Sequence, residues 1–150
     1  MKTVIQRVSQ AQVISNSEIT GKIGTGLVLL VGFEEADTLS DIEWTIGKIL
    51  NLRIFPDTNG VMNININDTG GEILAISQFT LHASTKKGNR PSYIKAAKPE
   101  IALPLYEKFI QHLQKEFNRK IETGIFGADM LVSLTNNGPV TIIMDSKNKE

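Results

Sequence analysis

The sequence has no cysteine, and that single absence removes disulfides, thiolate nucleophiles and sulfur-ligated metals. Imidazole is nearly as scarce: His82 and His112 are the only two histidines, and no HxxxH or HExxH spacing exists. An excess of one charge is missing too. Lys and Arg number 16 and Asp and Glu 16, so any nucleic-acid contact has to come from local clustering and not from a global field. No long apolar run occurs. The longest, Leu27 to Val31 with Gly32 and Phe33 after it, falls far short of the ~20 residues that span a bilayer. The opening MKTVIQRVSQAQV meets charge and amide too early for the apolar stretch of a secretory signal. The expectation is a cytoplasmic protein with no membrane segment.

What is present is enough for one buried core. At 150 residues and 41% hydrophobic content, the chain reads as a single domain over residues 1–150. Val4, Val8 and Val13 among polar partners, then Glu18 to Lys22 and Leu27 to Phe33 with glycines between, predict a strand meander. Leu39, Ile42, Ile46, Ile49 and Leu50 recur at helical spacing, and Ser40 with Glu43 forms a capping-box pattern, so a helix is expected over about 39–52. Arg53 to Phe55, the turn DTNG at 57–60 and Val61 to Ile66 predict a hairpin. Ile73 to Ala83 reads as a further strand. Ala102, Leu105, Tyr106, Phe109 and Leu113 make the apolar stripe of a second helix over roughly 101–118, with Pro99 and Pro104 tolerable only near its first turn. Strands at about 120–125 and 129–144 close an α+β fold: a mostly antiparallel, barrel-like sheet with two packing helices.

Several motifs invite chemistry and do not sustain it. GKIGTG lacks both the third glycine of GxGxxG and the GK[ST] of a phosphate loop, so its glycines read as turns. DTNGVMNININD lacks the ligand ladder of a calcium loop. Glu34, Glu35, Asp37, Asp41 and Glu43 gather at a helix start, where acids favour the dipole. His112 reads as a solvated residue on the second helix. No metal or cofactor is expected. Between His82 and Pro99 the chain carries Lys86, Lys87, Arg90, Lys95 and Lys98 with no acid, and Gly88 and Pro91 break regular structure. A mobile basic loop follows.

Two segments stand apart. In Ser77-Gln78-Phe79-Thr80-Leu81, strand alternation would put Gln78, Thr80 and His82 on one face and Ser77, Phe79 and Leu81 on the other. In Asn136-Asn137-Gly138-Pro139-Val140-Thr141, a Gly-Pro sits inside what otherwise reads as a strand, so the sheet there is interrupted, bulged or at an edge. Taken alone, each has an ordinary structural explanation. Together, SQFTL at 77–81 and NGPVT at 137–141 resemble the paired signature of the D-aminoacyl-tRNA deacylases of the dimeric type. The opening MKTVIQRVSQAQV, KILNLRIFPD at 48–57, GNRPS at 88–92 and GIFGADMLVSL at 124–134 extend the likeness over about residues 1–144. A short charged tail, Ser146 to Glu150, lies beyond it.

The resemblance implies a homodimer that cleaves the ester of D-aminoacyl-tRNA, and by extension glycyl-tRNA, while sparing L-aminoacyl-tRNA. It implies that Gly138 and Pro139, joined by a cis bond, reach into the partner's site, where their carbonyls face the substrate α-carbon. Backbone N–H groups of Phe79 and Thr80 would bind the oxyanion, with Gln78 orienting groups nearby and the substrate's 2′-hydroxyl assisting. Thr80 becomes a nucleophile only if a base activates it, and His82 is the sole nearby candidate. Ser77 and Met130 would line the substrate pocket, and Lys86, Lys87 and Arg90 would meet tRNA phosphates. Two rivals remain: a Thr- or Ser-dependent esterase of small esters, and a non-catalytic tRNA-binding module.

Overall fold

The computed structural model describes residues 1–149. Its organising element is a long first strand, β1 (Lys2–Ser15), with three partners. Along one edge it pairs antiparallel with the last strand, β8 (Leu131–Asp145), over nearly its full length. Along the other it pairs first with β3 (Gly26–Gly32) and then with β2 (Glu18–Ile23), both antiparallel. Two parallel neighbours follow, β6 (Glu72–Ser77) beside β3 and β7 (Ile121–Thr123) beside β6. β2 and β7 then come close enough to curl the sheet almost shut: a Cβ added to Gly21 would lie 2.8 Å from the Thr123 carbonyl oxygen. Glycine at 21 is what permits this approach. The barrel-like sheet is thus mostly antiparallel with a parallel section, and β4 (Phe55–Pro56) and β5 (Met62–Ile64) form the separate expected hairpin.

Alternation along β3 explains the two cores. Leu27, Leu29 and Val31 face the helices, joining Ile73 and Ala75 of β6; Val28 faces the other way, joining Val8, Val13, Leu74 and Ile76. A strand buried on both faces reads as an unbroken apolar run, as GLVLLVG does. Helices α1 (Leu39–Asn51) and α2 (Pro99–Glu116) cover the first face through Ile42, Ile46, Ile49, Phe109 and Leu113. The Tyr106 hydroxyl donates to the Ala75 carbonyl at 2.9 Å, tying α2 to β6, and burial pushes that phenol above its ordinary range.

Two local expectations need correction. The capping box of α1 is made by Thr38 and Asp41, each two residues before the expected Ser40 and Glu43, because Thr38 holds the extended backbone an N-cap requires. The strand expected over 73–83 stops at Ser77, and residues Phe79–His82 form a short 3-10 turn. The segment after β8 is also more engaged than a charged tail suggests. The Met1 ammonium binds Asp37 and donates to the Ser146 hydroxyl at 2.8 Å, and Lys147 binds the Asp41 carboxylate at 2.8 Å. Burial pushes the Asp41 carboxyl up, but hydrogen bonds from Lys147, the Thr38 amide, Ser146 and the Thr38 hydroxyl outweigh it and hold the group well below the usual carboxylate range.

Candidate active site

A cleft of about 600 Å³ opens where the parallel strands β3 and β6 end, the position at which parallel sheets place ligands. Its floor is built from Val31, Gly32, Ser77, Gln78 and Phe79; Tyr93, Ala97 and Pro99 form one wall and Phe126 to Met130 the other. Asp129 is the only charged side chain among the lining residues. Among the described residues no three His, Asp or Glu side chains converge to hold a metal ion.

The floor is shaped by backbone. The Gln78 N–H donates to the Val31 carbonyl at 2.7 Å, the last rung between β6 and β3, after which the chain turns through Leu81 N–H to Gln78 carbonyl (3.3 Å) and Ala83 N–H to Thr80 carbonyl (3.0 Å). Phe79 and Thr80 open this turn, so their N–H groups precede any carbonyl that the turn can offer them. Gly32 makes the turn possible. A Cβ there would lie 2.7 Å from the Gln78 carbonyl oxygen and 3.2 Å from both His82 Cδ2 and Leu81 Cβ.

The turn rearranges the faces expected of a strand. Gln78, Thr80 and His82 do not share one: His82 is buried behind the floor, with no hydrogen-bond partner for Nε2 among the described residues, while Phe79 stands 55% exposed at the cleft mouth. There its ring meets Tyr93 edge-on, with centroids 5.1 Å apart. The Gln78 amide donates to the Thr80 hydroxyl oxygen. That oxygen therefore accepts a proton donor where a nucleophile would need a base, and no carboxylate or imidazole among the described residues bonds to it. Across the cleft, Met130 packs its sulfur into the space left by Gly124, which has no side chain.

The second motif lies elsewhere on the chain. The β1–β8 ladder runs in register to Gln10–Thr135, shifts at Val8–Asn136 and shifts again before Gln6–Thr141, leaving residues 137–140 outside it. Gly138 and Pro139 are joined by a cis bond, both are exposed, and neither lines the cleft of its own chain. Side chains hold the excursion. Asn136 accepts from the Val140 N–H at 2.8 Å and donates to the Thr141 hydroxyl at 2.9 Å. Arg7 Nε donates to the Asn137 carbonyl at 2.9 Å, and Arg7 Nη1 reaches the Ile54 carbonyl, linking the excursion to the strand below and to the segment after α1.

Comparison with known proteins brings these parts under one heading. The family model described as D-Tyr-tRNA(Tyr) deacylase matches residues 4–145. The chain belongs to this family. Proteins named D-aminoacyl-tRNA deacylase from Flavobacterium johnsoniae and Bacteroides thetaiotaomicron are 62% and 61% identical to it over 150 residues, covering all of both chains. A solved structure titled c-Myc DNA Unwinding Element Binding Protein is 40% identical, covers 97% of this chain and 98% of its own, and superposes with a TM-score of 0.92. A second, titled as a probable eukaryotic D-amino acid tRNA deacylase, shares the fold at a TM-score of 0.82 and 15% identity, covering 95% and 97%.

Within the family frame, Ser77, Gln78, Phe79 and Met130 meet in the cleft and Thr80 sits against its floor. Lys86, Lys87 and Arg90 occupy an exposed loop whose neck is closed by the Ser84–Ser92 bridge. Three residues were not singled out from sequence. Tyr93 follows the basic run by a few positions and could have been read as its aromatic companion. Gly32 looked like the end of a strand. Arg7 is one charge in a polar strand, and its role depends on a pairing 130 residues away.

Proposed function

We propose that this chain hydrolyses the ester of D-aminoacyl-tRNA, releasing the D-amino acid and tRNA, and spares the L-form. The observation that carries the reading is the cleft floor: Phe79 and Thr80 amides at the end of a parallel strand pair that, among the described residues, donate to no carbonyl, with no described base against the Thr80 hydroxyl. Such amides suit the oxyanion that develops when water attacks an ester carbonyl, and the 2′-hydroxyl of the terminal ribose can assist with the proton.

The chiral gate is assigned to a homodimer. Gly138 and Pro139 are exposed, clamped by Arg7 and remote from their own cleft, which suits entry into a partner's cleft. There, rigid carbonyls would face the α-carbon and leave no volume for an L side chain. The neighbouring β8 surface carries Leu131 and Ile143 at 69% and 75% exposure, apolar area suited to such a partner. Lys86, Lys87 and Arg90 are assigned to phosphates, and the Phe79–Tyr93 pair to the base of the terminal nucleotide. No helix among the described residues is long and apolar enough to cross a membrane, and we assign the protein to the cytoplasm, where aminoacyl-tRNA is found.

Incubating the protein with D-, L- and glycyl forms of a single tRNA and following ester loss tests the reading. Loss of the D-ester and, because a gate that works by exclusion has nothing to exclude in glycine, of the glycyl ester is expected. Binding without turnover would leave only a tRNA-binding module. Cleavage of small activated esters with indifference to tRNA would instead favour a general esterase.

A further inference from the structure

The sequence holds two Asn-Gly pairs, Asn59-Gly60 and Asn137-Gly138, and glycine after asparagine leaves the next amide nitrogen unhindered for attack on the side-chain carbonyl. We propose that Asn137 is a site of spontaneous deamidation, with the Gly138 amide nitrogen as nucleophile and Arg7 as the group that promotes it.

The two pairs differ in what holds that nitrogen. At the hairpin tip the Gly60 N–H donates to the Asp57 carbonyl at 3.0 Å, and the Asn59 N–H donates to the Asp57 carboxylate at 2.9 Å. The proton is engaged, and a negative charge sits beside an amide that would itself have to become negative. At Asn137 both conditions are reversed. Gly138 lies where β8 has no partner on β1, and the exposed Asn137 side chain makes no hydrogen bond to any described residue, whereas neighbouring Asn136 is fixed at both ends of its amide. Arg7 Nε is bonded at 2.9 Å to the Asn137 carbonyl oxygen, which belongs to the same peptide group as the Gly138 nitrogen. When that N–H ionises, its charge is shared with this oxygen, so the guanidinium stabilises the attacking anion.

The reaction needs only hydroxide and water. Hydroxide removes the Gly138 amide proton, the nitrogen bonds to Asn137 Cγ, and the Cγ–Nδ2 bond breaks, with Nδ2 leaving as ammonia after taking a proton from water. The product is a five-membered succinimide. Water then adds to one of its two carbonyls and opens the ring, giving aspartate or isoaspartate. Because attack is internal to the chain, the site does not have to be open to another macromolecule. If the motif gates the cleft as proposed above, isoaspartate inserts an extra main-chain methylene into the link that carries Gly138 and Pro139, and aspartate sets a carboxylate beside Arg7.

The test ages the full-length protein at mildly alkaline pH, digests it with trypsin, and follows the amide-to-acid mass gain in the peptides carrying Asn137 and Asn59. Conversion at Asn137 is expected several-fold faster than at Asn59, faster still as pH rises, and resolved into two isomers of one mass. In denaturant the two pairs should convert at similar rates, so folding must accelerate Asn137 relative to Asn59. The Arg7→Gln variant, checked for fold, should slow Asn137 several-fold and leave Asn59 unchanged. Equal or faster conversion at Asn59 in the folded protein, or no change in the folded-to-unfolded ratio, overturns the proposal. No step of this test measures deacylation, so its outcome is independent of the function assigned above.

Discussion

The Gln78–His82 turn ends β6 and the Asn136–Thr141 excursion interrupts the β1–β8 ladder, each at a signature motif, and they are held in opposite ways. The first is fixed by main chain: Gln78 bonds to Val31, the turn closes on itself, and Gly32 supplies the gap into which it settles. The second is fixed by side chains, with Asn136 bridging its ends and Arg7 clamping its carbonyl. A part held by backbone should tolerate side-chain changes within it and fail when its seat is filled. A part held by side chains should fail when the clamp is disturbed, even with the cleft intact.

The largest effect is expected from Gly138→Ala. The φ of Gly138 is +134°, a region L side chains rarely adopt, and an added Cβ would meet Val140 Cγ2 at 2.8 Å and Arg7 Nη2 at 2.9 Å. Relief of those contacts moves the excursion or the guanidinium, and a displacement of that order costs about 10²-fold in turnover when the geometry is catalytic. Circular dichroism should show the monomer fold unchanged. Full activity on D-aminoacyl-tRNA with the D/L ratio retained would return Gly138 and Pro139 to an ordinary edge turn.

Gly32→Ala tests the other region. A Cβ 2.7 Å from the Gln78 carbonyl must push the turn off β3, so kcat should fall about 10-fold or more while KM changes little. Gly47→Ala is the control: nothing lies within 4 Å of its added Cβ, and replacing a mid-helix glycine should stabilise the protein by roughly 0.5–1 kcal/mol with no kinetic effect. If both variants lower kcat equally, the seat has no special role.

These contrasts also explain what could be read from the sequence. Element types and the two-helix arrangement were legible because apolar periodicity reports burial locally, as the Leu39–Leu50 spacing and the GLVLLVG run do. The turn at Phe79–His82 was not. FTLH carries no proline or glycine, and the feature that ends the strand, Gly32, lies more than forty residues earlier. The motifs were visible, but their relation was hidden: nothing in SQFTL and NGPVT says that one lies in the cleft and the other outside it. Arg7 was invisible because a clamp is defined by its partner, and that partner is a carbonyl, which every residue possesses.

The basic loop should behave differently from both turns, since it touches neither motif. Replacing Lys86, Lys87 and Arg90 by Ala should weaken tRNA affinity and reduce the salt slope by up to about 3, while kcat at saturating tRNA holds. An unchanged slope would remove this loop from the footprint. The Asp41–Lys147 pair, at the start of α1, provides a stability effect with no kinetic counterpart. A carboxylate held below its unfolded value stabilises the fold above that value, about 3.9, and loses this contribution as pH falls toward the folded value. Lys147→Ala should therefore lower the melting temperature at neutral pH, and its deficit should close as pH is taken below about 3.9. A deficit that persists at acid pH would mean that the lysine acts through packing and not through Asp41.

The smallest effect is expected where the chemistry looks most suggestive, at Thr80. Its hydroxyl oxygen accepts from the Gln78 amide, no base among the described residues bonds to it, and His82 is turned behind the floor beside Gly32. Thr80→Ala removes the hydroxyl and leaves the residue-80 N–H in a turn closed by the main-chain bonds of Gln78, Leu81 and Ala83, so the oxyanion donors stay in place. What is lost is one neutral side-chain hydrogen bond, worth about 0.5–1.5 kcal/mol, and with it some restraint on Gln78. Turnover of D-aminoacyl-tRNA should then fall by less than about 10-fold, with KM and the D/L ratio held. A nucleophilic threonine predicts a different result: abolished turnover with fold and tRNA binding intact, and a covalent acyl-enzyme detectable by mass in the wild type after rapid acid quench. Either finding would mean that this turn depends on a side chain after all, and the division between a backbone-held floor and a side-chain-held gate would fail at its simplest point.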